Sequence, residues 1–107
     1  MGFFAIPQLT ETEMLPGVRR RAVSLNKVMV TFFEFEPHAI VPEHEHPHEQ
    51  ITVVIEGAME FQLGDQKHIL KAGEGAVIPS GVKHAARILD RPTTVHDSWS
   101  PPREDYR

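Results

Sequence analysis

An antiparallel all-β barrel or jelly roll is predicted by three features of the 107-residue sequence. Helical periodicity is nearly absent. Apolar residues recur at alternate positions in several runs, the pattern of strands whose successive side chains point to opposite faces. Turn-forming residues recur about every 8–12 positions, the spacing of hairpin-connected strands in sandwiches and barrels.

The elements follow in chain order. Helix is not needed anywhere, although Glu11 to Leu15 could form one short turn. Lys27 to Glu36 is a strand with Val28, Val30 and Phe32 on one face and Met29, Thr31, Phe33 and Phe35 on the other. Apolar residues on both faces predict cover on both sides. Ile51 to Ile55 is β-branched throughout and stops at Glu56-Gly57, after which Ala58 to Leu63 alternates again. Gly64-Asp65 is a two-residue hairpin signal with Gln66 to Lys71 as the return strand. Turns at Ala72-Gly73-Glu74-Gly75 and Pro79-Ser80-Gly81 flank a short strand at Ala76 to Ile78, and His84 to Leu89 and Thr93 to Trp99 complete the set. The sequence is read as a single domain over residues 1–107, with a barrel core at about 18–99 and a C-terminal tail at 100–107. Two prolines bar that tail from a central strand, and a frayed, solvated end is its ordinary expectation.

Composition narrows the function. The chain has no Cys, which excludes a disulfide scaffold, a thiolate zinc site, an iron–sulfur cluster and a thiol nucleophile. A net charge of −4 argues against nucleic-acid binding, because phosphates need a basic field. No apolar run approaches the roughly 18 residues of a membrane-spanning helix. Met1-Gly2-Phe3-Phe4 lacks the basic-then-apolar layout of a signal peptide, so the expectation is a small, soluble cytoplasmic domain.

Seven His are left to explain. His44-Glu45-His46 is an H-x-H pair, and strand residues two apart share a face, so both imidazoles can reach one ion. Counting on by two gives His48 and then Gln50, with His84 as a distant further group. Imidazole nitrogens and an amide oxygen suit one divalent transition metal, such as Ni, Zn, Fe or Mn. Spacing alone leaves a solvated His-rich loop as the alternative. His38 and His68 read as surface residues, and His96 as facing outward.

The surrounding pattern resembles the cupin superfamily. H-x-H at 44–46, Gln50, and Gly57 after six residues resemble its first signature, with Gln where Glu is usual. Gly73, Pro79, Gly81 and His84 meet the second without a gap. The resemblance implies a cupin β-barrel with His44, His46, Gln50 and His84 as metal ligands. Gln in place of Glu leaves the ion more electron-poor and a stronger Lewis acid. Glu49, on the opposite parity, is expected to point away.

The ending Asp97-Ser98-Trp99-Ser100-Pro101-Pro102-Arg103-Glu104-Asp105-Tyr106 is similar to that of the cupins called pectin degradation proteins, which ketonise 4,5-unsaturated uronates. His46 to Gln50 matches that group too. The implied catalytic residues are Asp97, moving a proton, and Arg103, pairing with the uronate carboxylate. Trp99 would be a stacking surface, in place of the more usual Phe, and Thr52 and His48 would line the substrate. The competing readings are another metal-dependent cupin enzyme, a dioxygenase or sugar isomerase, and a non-catalytic sugar-binding cupin. The resemblance also implies a homodimer, for which the two-faced strand at 28–35 would suit burial at a subunit contact.

Overall fold

In the computed structural model, which describes residues 1–107, ten strands follow one another: β1 Thr12–Leu15, β2 Val18–Ser24, β3 Met29–Phe35, β4 Ile40–His44, β5 Glu49–Glu56, β6 Ala58–Leu63, β7 Gln66–Lys71, β8 Gly75–Ile78, β9 His84–Ile88 and β10 Thr93–Ser100. They form two antiparallel sheets, ordered β1-β2-β3-β10-β5-β8 and β4-β9-β6-β7. The expected all-β architecture is present. Helix is confined to two 3₁₀ turns, Ile6–Gln8 and Glu104–Tyr106, and no helix is long and apolar enough to cross a membrane.

One expected element is different. Thr12–Leu15 is a strand rather than a helical turn, because Pro16-Gly17 reverses the chain and sets Leu15 opposite Val18 and Thr12 opposite Arg20. A single helical turn is costly to nucleate, whereas a strand beside an existing partner gains a ladder at once. The tail also departs from its ordinary expectation: Pro102 is buried and Tyr106 packs on Phe33 and Trp99.

The two sheets face each other across a core of Val18, Phe33, Phe35, Val54, Met59, Phe61, Ile88 and Val95, among others. Along β5 and β10 the inward face changes character. Val54 and Val95 lie at the apolar end, and Thr52, Asp97, Gln50 and Trp99 follow toward the other. The register places Asp97 opposite Thr52 and Trp99 opposite Gln50. The core therefore closes one end of the barrel, and the polar inward residues gather at the other.

Gly57 makes the sharp reversal between β5 and β6 at φ +89°, where a side chain would strike the Thr93 hydroxyl and the Pro92 carbonyl. That steric demand explains the first-signature glycine. On the outer face, Phe32 packs edge-on against His96 at 4.9 Å and meets Phe4 of the N-terminal segment at 5.9 Å. Both faces of β3 are thus covered within one chain at this point. His96 does face away from the barrel interior, and its ring is half-buried there; His38 and His68 are exposed.

Candidate metal centre

Three histidines meet at the polar end of the barrel. His44, at the end of β4, lies opposite His84, at the start of β9, so sheet register alone brings them together. His46 is delivered by the loop before β5. The backbone N–H of Gly81 donates to the His46 carbonyl at 2.9 Å, which ties the Pro79-Ser80-Gly81 turn to that loop. One ring nitrogen from each of the three lies within 4.8 Å of the others.

The backbone fixes which nitrogens these are. Nδ1–H of His44 donates to the Pro42 carbonyl at 2.9 Å, that of His46 to His48 at 3.0 Å, and that of His84 to Val82 at 2.9 Å. A carbonyl only accepts, so in each neutral ring Nε2 holds a bare lone pair. Nε2 of His84 is buried without a hydrogen-bond partner. Burial, with smaller contributions from neighbouring cations, lowers the His84 pKa to about 4, and burial also lowers that of His46. Burial thus favours the uncharged form of the His46 and His84 rings, the form that binds metal.

Gln50 adds an oxygen. Its Oε1 lies 3.0 Å from Nε2 of His46, and its Nε2 donates to the Thr52 hydroxyl at 2.8 Å. Two buried acceptors facing each other repel unless a cation satisfies both. The orphaned Nε2 of His84, the amide oxygen opposed to His46 Nε2 and a donor set of imidazoles and one amide fit a divalent transition ion.

Asp97 stands beside this group, 6% exposed, with Oδ1 buried and unpartnered. Burial pushes its pKa up to about 7, while the Thr52 and Gln50 side chains pull the other way. Asp97, Gln50, Thr52, His44, His84 and Trp99 all line one cavity.

The tail sits over the same end. Arg103 Nε and Nη2 grip the Asp105 carboxylate at 3.2 and 2.9 Å, and the guanidinium lies over the rings of Tyr106 at 4.2 Å and Trp99 at 5.2 Å. Its Nη1 side has no protein partner. Trp99 is 3% exposed, its indole N–H donating to Thr31 at 2.9 Å and its ring lying 5.1 Å from His46. His48 is half-buried and edge-on to Trp99 at 6.4 Å, outside the three-His cluster, and Glu49 is exposed.

Residues 31–96 match the family described as the cupin domain. The chain is a cupin. This cupin is 28% identical over 96 residues to the pectin degradation protein KdgF of Dickeya dadantii, covering 88% of this chain and 87% of that one. The solved structure of KdgF from a Halomonas species superposes with a TM-score of 0.94 at 30% identity, covering 100% of this chain and 99% of that one. An RmlC-like cupin from Shewanella frigidimarina also superposes at 0.94, with 25% identity, covering 100% of this chain and 96% of that one. The H2HPP isomerase of Bacillus subtilis is 33% identical over 86 residues, 79% of this cupin but only 36% of that protein.

Three contributors to the cupin's site escaped the sequence reading. Thr31 anchors Trp99, Asp105 holds Arg103, and Tyr106 lies between the guanidinium groups of Arg103 and Arg20, the latter at 4.3 Å. Thr31 shares the inward parity of Phe33, which is the one signal that marks it.

Proposed function

We infer that this cupin ketonises 4,5-unsaturated uronates, the sugar acids released when lyases cut pectin or alginate. The observation that carries the reading is the unpartnered carboxyl oxygen of buried Asp97 in the cavity that His44, His84 and Gln50 line. The likeness to KdgF across nearly the whole chain supports the substrate class.

Converting the cyclic unsaturated acid to its open keto form requires loss of a hydroxyl proton, ring opening and protonation at carbon. Nε2 of His44, His46 and His84 with Gln50 Oε1 would hold a divalent ion, which would supply Lewis acidity to stabilise negative charge on oxygen. Asp97 carries the proton at Oδ1, in a setting that keeps water from competing. Arg103 receives the substrate carboxylate on its Nη1 side, since Asp105 holds the opposite edge. Trp99, buried as it is, braces Arg103 and His46, and Thr52 and His48 flank the substrate.

The test is the ultraviolet absorbance of a 4,5-unsaturated monouronate prepared with a lyase. Metal-loaded protein is expected to accelerate its decay; decay at the spontaneous rate overturns the reading. In that event the likeness to the H2HPP isomerase makes an isomerase acting on a different small molecule the next candidate.

We also propose a homodimer in the cytoplasm. The outer face of the six-stranded sheet exposes Ile51, Ile55 and Val77, and solvent-exposed apolar clusters on a sheet mark subunit contacts. Light scattering is expected to return twice the 12.1 kDa chain mass; a monomer removes the proposal.

A further inference from the structure

The amide of Gln50 has two ends, and only one of them is useful to a metal. If the chain had no other constraint, Nε2 of Gln50 would turn toward His46 and donate to its bare Nε2. That arrangement satisfies both groups, and it also occupies the lone pair that a metal needs. The structure holds the opposite orientation, with Oε1 at 3.0 Å from His46 Nε2 and the amide Nε2 donating to Thr52 at 2.8 Å.

Thr52 is 3% exposed and Gln50 6%, so water does not compete for these bonds. A threonine hydroxyl can donate or accept, which makes its own surroundings decisive. Its cross-strand neighbour is Asp97, whose carboxyl, with Oδ1 itself unpartnered, interacts with the Thr52 hydroxyl and also with the Gln50 amide, both of which oppose the upward push of burial on its pKa. The hydroxyl oxygen is then left to accept from Gln50. Across two strands, the chain Asp97–Thr52–Gln50 has one consistent direction, and that direction ends with Oε1 toward the histidines.

We propose that Thr52 is a positioning residue that sets which end of the Gln50 amide faces the metal cluster. This assigns it a role toward Gln50 that is separate from lining the substrate. It rests on the reading that His44, His46, His84 and Gln50 hold a metal.

The test uses the full chain, stripped and reloaded with Co²⁺, with affinity measured against a competing chelator and the visible d–d spectrum reporting the ligand set. Thr52→Ser keeps the hydroxyl but loses the methyl group. Thr52→Val keeps the shape but loses the hydroxyl, and Thr52→Ala loses both. Affinity is expected to follow the hydroxyl: Thr52→Ser stays within about three-fold of the parent, while Thr52→Val and Thr52→Ala fall about ten-fold, the lower end for loss of a partner behind a metal ligand. The spectrum should shift in the same two variants. If affinity follows side-chain volume instead, with Thr52→Val matching the parent and Thr52→Ser resembling Thr52→Ala, the proposal is wrong. Should Thr52→Val not fold, the comparison of Thr52→Ser with Thr52→Ala still decides it. A parent chain that takes up no Co²⁺ overturns the metal reading itself, an outcome distinct from equal affinities across the series.

Discussion

Replacing Asp97 by Asn is expected to remove nearly all ketonising activity while raising the melting temperature of the metal-free protein. The two effects share one cause. Asp97 is held in the interior with Oδ1 unpartnered, and burial makes its charged form costly. A carboxyl in that setting can carry a proton to or from a substrate; an amide of the same shape cannot. Loss of such a positioned acid–base group costs roughly 10²–10⁴-fold in rate. Asn also removes the charge that folding must desolvate. With its folded pKa raised to about 7, Asp97 destabilises the folded state increasingly as pH rises from the acid range to neutrality. The melting temperature at neutral pH should therefore rise by several degrees, the shift expected for about 1 kcal/mol in a domain of this size. Steady-state decay of the unsaturated uronate and a thermal melt read the two effects separately. Full activity in Asp97→Asn would remove the proton role.

His84→Ala should abolish tight metal binding and, with it, any gain in stability from metal. His84 contributes a nitrogen whose only unmet need is a cation, and it is the one ligand supplied from β9 rather than from the 44–50 segment. Without it, two imidazoles and an amide oxygen remain on one stretch of chain. Any ligand that binds only the folded state stabilises it by mass action, about 2.7 kcal/mol at a hundred-fold excess over Kd. The parent should therefore melt several degrees higher with Zn²⁺ or Ni²⁺ than after chelation, and His84→Ala should melt at the same temperature in both conditions. Metal content after desalting should fall from near one ion per chain toward none. A variant that still gains stability from metal would show that the ion sits elsewhere.

How much of this was legible in the sequence depends on what each element buries. Strands β5, β6, β7 and β10 have regular alternation or β-branched runs flanked by turn residues, and each was expected close to where it lies. Strands β2 and β4 were not placed. In β2 the inward position next to Val18 is Arg20, which lies over the Tyr106 ring, so a cation occupies a place where an apolar residue would have signalled a strand. In β4 the run contains Pro42 and Glu43 and is positioned by β9 rather than by its own pattern. The convergence of His44, His46 and His84 was readable from the signature pattern rather than from strand parity, because β4 ends at His44 and His46 lies on the loop before β5. Arg103 and Asp105 were different: their pairing occurs in a segment without periodicity, and only the folded tail reveals that one edge of the guanidinium is already engaged.

The three Nδ1–H bonds to main-chain carbonyls have an evolutionary corollary. Every residue has a carbonyl, so exchanging the side chains at positions 42, 48 and 82 leaves those acceptors in place and the ring tautomers unchanged. Gln50 has no such insurance: its partner is the side chain of Thr52, which one codon change can delete. Drift in this protein can therefore alter the reactivity of the centre at positions 50, 52 and 97 while the histidine frame stays intact. Variation among related chains should accumulate at those three places, where new chemistry can arise without rebuilding the site.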